Sequence, residues 1–311
     1  MRKPSPELKA YAMLGLVMLL WAGNSIVGRA IRDEIPPFTL AFVRWAGAVL
    51  VLLPFAARQV MAERRAILRV WRPVLVLGLT GVVAFNGFLY SGLHSTTASN
   101  ALLLQAAIPA LVLVADLSLF RVRPGRAAVT GVAISTLGVA AIVFRGDPAL
   151  IRTLHFNRGD LLVMCGVVAW ALYTTLLKTR PAIPGLSLLT VTFAIGALAM
   201  LPLAATEWRE IAAMRFTPAV IAAFAYVAIF PSIIGYFLFN AAVATLGAAR
   251  PGQAITLMPL FGALLAAPLL GERLHGYHLA GMALILAGIA ATALLGRTRR
   301  VGFRTDPSAT G

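Results

Sequence analysis

Acidic residues are scarce in this chain: 11 Asp and Glu stand against 27 Lys and Arg, and charge of both signs occupies only 12% of the 311 positions. Proton pumps and sodium symporters usually place an ionisable acid at mid-membrane depth; none is visible at that depth here, which leaves energy coupling open. Cysteine is rarer still. The single Cys165 has no intrachain partner, which excludes disulfides and multi-cysteine zinc or iron–sulfur centres. The four histidines, His94, His155, His275 and His278, fall in or near expected outer loops, so haem ligation and a buried histidine relay are not expected. No metal and no cofactor is implied.

What is abundant is apolar. A soluble domain averages roughly 45–50% apolar residues, whereas this chain reaches 60%. Apolar runs lie at about 10–31, 36–57, 72–93, 97–119, 125–144, 159–178, 185–206, 218–243, 247–270 and 276–296, broken at Pro36-Pro37, Glu63-Arg64-Arg65, Arg123-Pro124-Gly125, Gly146-Asp147-Pro148, Arg180-Pro181 and Gly271-Glu272-Arg273. At about 20 residues per crossing, ten crossings take roughly 200 residues, leaving too little for a second, soluble domain. The expected fold is therefore all-α, a polytopic membrane protein with ten transmembrane helices.

A formal charge of +16 and a pI near 11.5 could suggest nucleic acid, but the basic residues sit in short clusters between apolar runs. The positive-inside rule explains that pattern better. With the N-terminus inside, 18 Lys and Arg fall in cytoplasmic segments, 8 in outer loops, and Arg44 alone within a span. Both termini are expected in the cytoplasm of a bacterial inner membrane. Run 10–31 follows Arg2, Lys3 and Lys9, as a cleaved signal peptide would, but it is longer than the usual signal core and has a counterpart later in the chain, so it reads as a mature span.

That counterpart belongs to a repeat. A shift of 150 residues superposes Ala98 on Ala248, Pro109 on Pro259, Leu119 on Leu269, Arg123 on Arg273, Gly131 on Gly281 and Gly138 on Gly288; Trp21-Ala22 meets Trp170-Ala171 at a shift of 149. The expected units are 1–145, 146–298 and a cytoplasmic tail, 299–311. Five spans per unit is an odd number, so the second unit would enter the membrane upside-down, an arrangement that frames a midplane substrate site.

Trp21-Ala22-Gly23-Asn24 in the first span, Arg44 in the second, Gly159-Asp160-Leu161-Leu162 opening the sixth, and Gly271-Glu272-Arg273-Leu274 followed by Leu279-Ala280-Gly281 together resemble the EamA family of the drug/metabolite transporter superfamily. The resemblance covers nearly the whole chain and rests on the order and spacing of short motifs. It implies export of small metabolites, amino acids among them, through a central cavity, and it does not specify the cargo. One departure is Arg121-Val122-Arg123, where such repeats often carry a Gly-Glu pair, so a symmetric role for Glu272 does not follow.

Polar residues inside the runs mark where chemistry could sit. Asn86, Tyr90 and His94 share one face of the third span, and Tyr226, Ile229, Ile233, Tyr236 and Asn240 form a stripe on the eighth. The repeat shift sets Asn86 opposite Tyr236 and Tyr90 opposite Asn240. Such groups face either neighbouring helices or a watery cavity rather than lipid. Trp21 with Asn24, and Trp170 with Tyr173 and Thr174, lie deep enough in their spans to favour the interior over a headgroup anchor. Pro109 and Pro259 each free a carbonyl four residues earlier, at Gln105 and Ile255, marking either hinges or passive bends; Gln105 shares the face of Pro109. Arg44 either snorkels outward to Asp33 or Glu34, or meets a substrate carboxylate or a backbone carbonyl. Asp116 is expected to pair at the surface with Arg121 or Arg123.

These observations converge on a carrier without covalent chemistry, moving small neutral or zwitterionic solutes by alternating access. Its cavity would be lined by Trp21, Asn24, Asn86, Tyr90, Gln105, Trp170, Tyr173, Tyr226, Tyr236 and Asn240, with Arg44 beside it. The expected partners are a small-molecule substrate and the lipid bilayer, with no nucleic acid and with a monomer sufficing. Alternatives are an exporter of amphipathic drugs or cations, a non-transporting receptor or scaffold, and a membrane enzyme acting on lipid-linked substrates, the last lacking the paired acids, histidine cluster or metal-binding loop it would need.

Overall fold

The computed structural model describes residues 5–31, 34–93, 95–96, 101, 104–147, 149, 152, 157–270 and 275–295. His94, His155, Asp33, Glu272, Arg273 and the 299–311 tail lie outside the described residues. The α-helical pieces that lie within the described residues run in chain order: α1 Pro6–Ala30, α2 Pro37–Arg69, α3 Trp71–Gly78, α4 Phe85–Leu93, α5 Ile108–Phe120, α6 Arg126–Val143, α7 Arg158–Leu176, α8 Gly185–Thr206, α9 Trp208–Ala213, α10 Pro218–Ala228, α11 Gly235–Leu246, α12 Ala249–Ala254, α13 Leu257–Leu270 and α14 Gly276–Leu295. Strands do not occur among the described residues.

Local chemistry sets the helix starts. Ser5 caps α1 through Leu8 N at 3.2 Å, with Pro6 in the first turn. Asn157 and Asp160 form a capping box at α7, the side chain of each accepting the other's backbone N–H at 3.0 and 2.9 Å. The sequence break before the sixth run is thus a built helix start.

Seven of the continuous helical stretches among the described residues are long and apolar enough to cross a membrane: Pro37–Arg69, Trp71–Gly92, Arg126–Val143, Arg158–Thr179, Gly185–Thr206, Pro218–Leu246 and Gly276–Ala293. The fourth and ninth expected spans depart from one straight helix for a shared reason. Each is interrupted just before its proline, at Ala106-Ala107 and at Ile255-Thr256, positions that the repeat shift of 150 brings to within one residue of each other. The ring at Pro109 or Pro259 removes a donor and crowds the preceding turn. The Ile255 carbonyl instead accepts from Met258 N at 2.9 Å in a tightened turn.

A second departure is the length of α2, which runs unbroken through Glu63-Arg64-Arg65 to Arg69, where the sequence suggested a stop near residue 57. Charge ends an apolar run, but Arg, Glu, Ala and Leu remain good helix formers. The helix therefore continues beyond its apolar part.

The two sequence halves interlock. α1 packs on α11 and α13, α4 on α7, α2 on α8, and α6 on α14. Helices α2 and α8 are antiparallel and tied at both ends. Glu207, just past the end of α8, accepts from Phe38 N at 3.0 Å, Thr39 N at 2.7 Å and Thr39 Oγ1 at 2.8 Å at the start of α2. At the other end Glu63 of α2 accepts from Ser187 Oγ at 2.9 Å, at the start of α8. Each carboxylate sits where the partner helix exposes its unpaired N–H groups and positive dipole end.

Helices α6 and α14 are also antiparallel, through glycine contacts. A Cβ on Gly131 would lie 2.5 Å from the Gly288 carbonyl oxygen, and one on Gly138 2.6 Å from that of Gly281. Such small-residue seams let backbones approach where lipid offers no hydrophobic driving force. Ser135 Oγ donates to Ile285 O at 3.3 Å midway between the two contacts.

Asp116 departs from expectation as well. Its partner is Lys178, at the far end of the α7 segment, and neither Arg121 nor Arg123. α5 ends with Arg121 in the left-handed region at φ 54°, and Val122 N turns back to the Asp116 carbonyl at 3.1 Å. Lys178 meanwhile lies over the Phe120 ring at 4.6 Å, within reach of the acid.

Candidate functional site

At the centre of the bundle the sequence places aromatic residues on five different segments, and the structure brings them together. Trp21 of α1 meets Trp170 of α7 edge-on at 5.1 Å between centroids and Phe239 of α11 at 5.2 Å. Tyr236 of α11 touches Trp170 at 5.7 Å, Trp45 of α2 at 5.5 Å and Phe193 of α8 at 5.4 Å. Tyr173 lies 5.2 Å from Trp170. These separations suit the quadrupolar attraction of aromatic pairs. Both predicted tryptophans are thus interior.

Two segments beside this cluster leave the α-helical hydrogen-bond pattern. Leu79–Ala84, between α3 and α4, and Ile229–Ile234, between α10 and α11, are π-helical. Their first and last residues are each related by the 150-residue shift. π-turns are rare, appear often at functional sites, and displace backbone carbonyls from the regular ladder. In both segments the carbonyl of the third residue is captured from the other sequence half. Tyr236 Oη donates to Gly81 O at 2.7 Å, and Trp21 Nε1 donates to Pro231 O at 2.9 Å. Gly81 also leaves room for a ring: a Cβ there would lie 2.3 Å from Cδ2 of Tyr173.

The correspondence between halves is incomplete. Trp170 is the repeat counterpart of Trp21, yet its buried Nε1 has no acceptor among the described residues. The equivalent carbonyl, Gly81 O, is already held by Tyr236. Asn86, the counterpart of Tyr236, donates to Val82 O of its own helix at 2.8 Å.

The remaining predicted residues separate into two groups. Tyr173 Oη donates to Asn240 Oδ1 at 2.8 Å, placing both in the cluster. Arg44 is only 7% exposed, and its Nε donates to Ser232 Oγ at 2.7 Å; Ser232 Oγ in turn donates to Val227 O, which cannot receive a bond from the ring nitrogen of Pro231. Glu34, one of the expected partners of Arg44, instead accepts from Thr217 Oγ1 at 3.3 Å. Tyr90 packs on the edge of the core. Asn24 is half-buried in α1.

Tyr226 and Gln105 stand apart from the ring cluster. The π segment between Tyr226 and Tyr236 breaks the phase of the predicted stripe, and Tyr226 stacks on Phe230 at 5.4 Å and donates to Leu20 O at 3.1 Å. Gln105 Nε2 donates to Ala101 O at 3.3 Å, and the side chain lines a small cavity of about 10 Å³ with Thr256 and Pro259 between the two broken spans.

Sequence reasoning missed Trp45, Phe193 and Phe239, which looked like ordinary lipid-compatible residues, and Ser232, whose position beside an in-span proline was the available signal. It also missed Gln253, buried and donating to Gly288 O at 3.0 Å and Ser135 Oγ at 3.3 Å.

This architecture, a multi-pass helical bundle with an aromatic centre enclosed between two related halves, defines a membrane transporter class. The chain belongs to the EamA-like transporter family, whose model matches residues 8–144 and again 157–294. Family membership makes it a transporter and not an enzyme. It is 29% identical over 287 residues to an uncharacterised transporter of Archaeoglobus fulgidus, covering 91% of this chain and 97% of that one. It is 26% identical over 304 residues to a "Probable amino-acid metabolite efflux pump" of Salmonella typhimurium, with 92% and 95% coverage. A "Probable amino-acid metabolite efflux pump" of Escherichia coli is 25% identical, with 88% and 91% coverage. A solved crystal structure superposes with a TM-score of 0.75 at 19% identity, covering 93% of this chain and 98% of its own, which supports the fold alone.

Proposed function

We propose that this transporter sits in the bacterial inner membrane and exports small neutral or zwitterionic metabolites, amino acids among them, by alternating access between inverted five-span repeats, residues 1–145 and 146–298. Both termini are cytoplasmic in this reading. The observation that carries it is the unequal capture of equivalent groups. Gly81 O and Pro231 O are repeat-related, but one is held by a tyrosine and the other by a tryptophan, while Trp170 Nε1 is left without an acceptor.

Two repeats of one design whose equivalent carbonyls are held by different partners are in keeping with alternating access. Exchange of their conformations opens the opposite side. The π segments and the proline breaks at Pro109 and Pro259 supply deformable places in four spans, and the aromatic cluster supplies the occluded centre. Two of the relatives named as amino-acid metabolite efflux pumps match nearly full-length, in keeping with this cargo class.

Efflux from proteoliposomes loaded with a panel of amino acids and amphipathic cations tests the proposal. Saturable, protein-dependent efflux of an amino acid is expected, and it should fall in Trp21→Ala and Trp170→Ala variants that remain inserted and monodisperse. Absence of protein-dependent flux for every solute would defeat the reading in favour of a receptor or scaffold.

A further inference from the structure

The aromatic centre holds buried donors that meet no acceptor among the described residues. Arg44 is buried at span depth, and among the described residues its ionised side chain has one hydrogen bond, from Nε to the neutral Ser232 hydroxyl. Neither a carboxylate nor any other anion meets it among the described residues. Its guanidinium lies 4.6 Å from the centroid of the Trp45 ring, a cation–π contact that steadies the charge without neutralising it. Trp45 Nε1 is itself buried without an acceptor, and so is Trp170 Nε1. Trp45 and Trp170 both contact the Tyr236 ring, so the three groups border one cluster.

Arginine and indole nitrogens can only donate. Burying a cation without an anion is costly, because hydration is lost and nothing replaces it. A structural arginine would be expected to carry a permanent acid, and this one carries a serine. That serine is anchored in turn on Val227 O, which fixes the direction of the Arg44 side chain.

We infer that Arg44, held by Ser232, is the seat of a substrate carboxylate, so that the transported solute is an amphipathic carboxylate or zwitterion whose apolar part packs on the Trp21, Trp170 and Tyr236 rings. This rests on the transport reading and narrows it: amphipathic cations without a carboxylate are rejected by the same arginine. Arg44 binds, and Ser232 is a positioning residue.

The test is equilibrium binding to the purified full chain in detergent, read by intrinsic tryptophan fluorescence, with matched probes. 3-Phenylpropionate and L-phenylalanine carry the carboxylate; phenethylamine and L-phenylalaninamide keep the ring and lack it. The carboxylates should bind at least about tenfold more tightly, in line with the cost of leaving one member of a buried charge pair alone. Arg44→Gln should abolish that preference, Arg44→Lys should keep part of it, and Ser232→Ala should weaken carboxylate binding while preserving its sign.

The wild-type comparison stands even if an Arg44 variant fails to fold. Equal binding of both probe classes, tighter binding of the amines, binding of neither, or an unchanged preference in a folded Arg44→Gln protein overturns the inference. Carboxylate binding without any flux would defeat the transport reading and leave the seat intact. Flux of amines alone would do the reverse.

Discussion

The phenol of Tyr236 donates to the carbonyl oxygen of Gly81 across 2.7 Å, joining the second half of the chain to a widened turn of the first. A buried carbonyl that loses its donor bears a desolvation penalty of about 1–3 kcal/mol. Tyr236→Phe keeps the ring contacts and removes only the hydroxyl. It should lower stability by about that amount in a detergent thermal melt and slow transport in proteoliposomes, with Trp21→Phe behaving alike at Pro231. Unchanged melting and flux in both variants would show that the captured carbonyls are incidental.

The two carboxylates tying α2 to α8 should differ in weight. Among the described residues Glu207 accepts three bonds, two of them from backbone N–H groups at a helix start, whereas Glu63 accepts from the single hydroxyl of Ser187. Hydrogen bonds to charged groups contribute about 1.5–3 kcal/mol, so Glu207→Ala should destabilise more than Glu63→Ala. Differential scanning fluorimetry of the two purified variants decides the order.

Along the glycine seam, Gly138→Ala would drive a Cβ to 2.6 Å from the Gly281 carbonyl oxygen, and backbone cannot move aside as a side chain can. Overpacking of this sort costs about 1–3 kcal/mol. A lower melting temperature and a broader elution profile are expected, while Gly262→Ala, with open space around its Cβ position, should leave both unchanged.

Pro109→Ala and Pro259→Ala each restore a backbone donor at a break in a span. If the two breaks exchange roles during transport, the variants should bias the protein in opposite directions. The measurement is labelling of single cysteines placed at the outer and inner mouths, in a Cys165→Ser background because Cys165 is exposed. Equal labelling in both variants would make the breaks passive shape.

Reporter fusions at Arg64, Arg123 and Lys178 should read cytoplasmic, and those at Gly146 and Arg209 external. A consistent reversal at all five would invert the assigned sidedness, and a mixed pattern would remove the five-plus-five arrangement.

The apolar runs were legible because each membrane-crossing segment must satisfy its own backbone, which forces long uniform stretches. The pairs Pro109 with Pro259 and Trp21 with Trp170 exposed the repeat because those residue types rarely coincide by chance. The turn at Leu79–Ala84 was not legible: nothing in its composition departs from the run around it, and the difference lies in which N–H meets which carbonyl. The same holds for Asp116, whose partner Lys178 lies 62 positions away while two arginines stand close by in sequence. Tyr226 and Tyr236 looked like one stripe because helical phase was counted straight through a segment that interrupts it.

That interruption has a consequence for length. Each residue in a regular helix turns the chain by about 100°, so a widened turn takes up one extra residue without rotating the helix that follows it. The segments between Gly78 and Phe85 and between Ala228 and Gly235 therefore keep Asn86, Tyr90, Tyr236 and Asn240 on their faces while pushing one carbonyl out of the ladder. Deleting a single residue such as Val83 would let the turn close to a regular one, leaving the third span long enough to cross the bilayer and Asn86 facing as before, but withdrawing the Gly81 carbonyl that Tyr236 holds. The extra residue in each span thus serves the bond between the two halves rather than the length of the crossing.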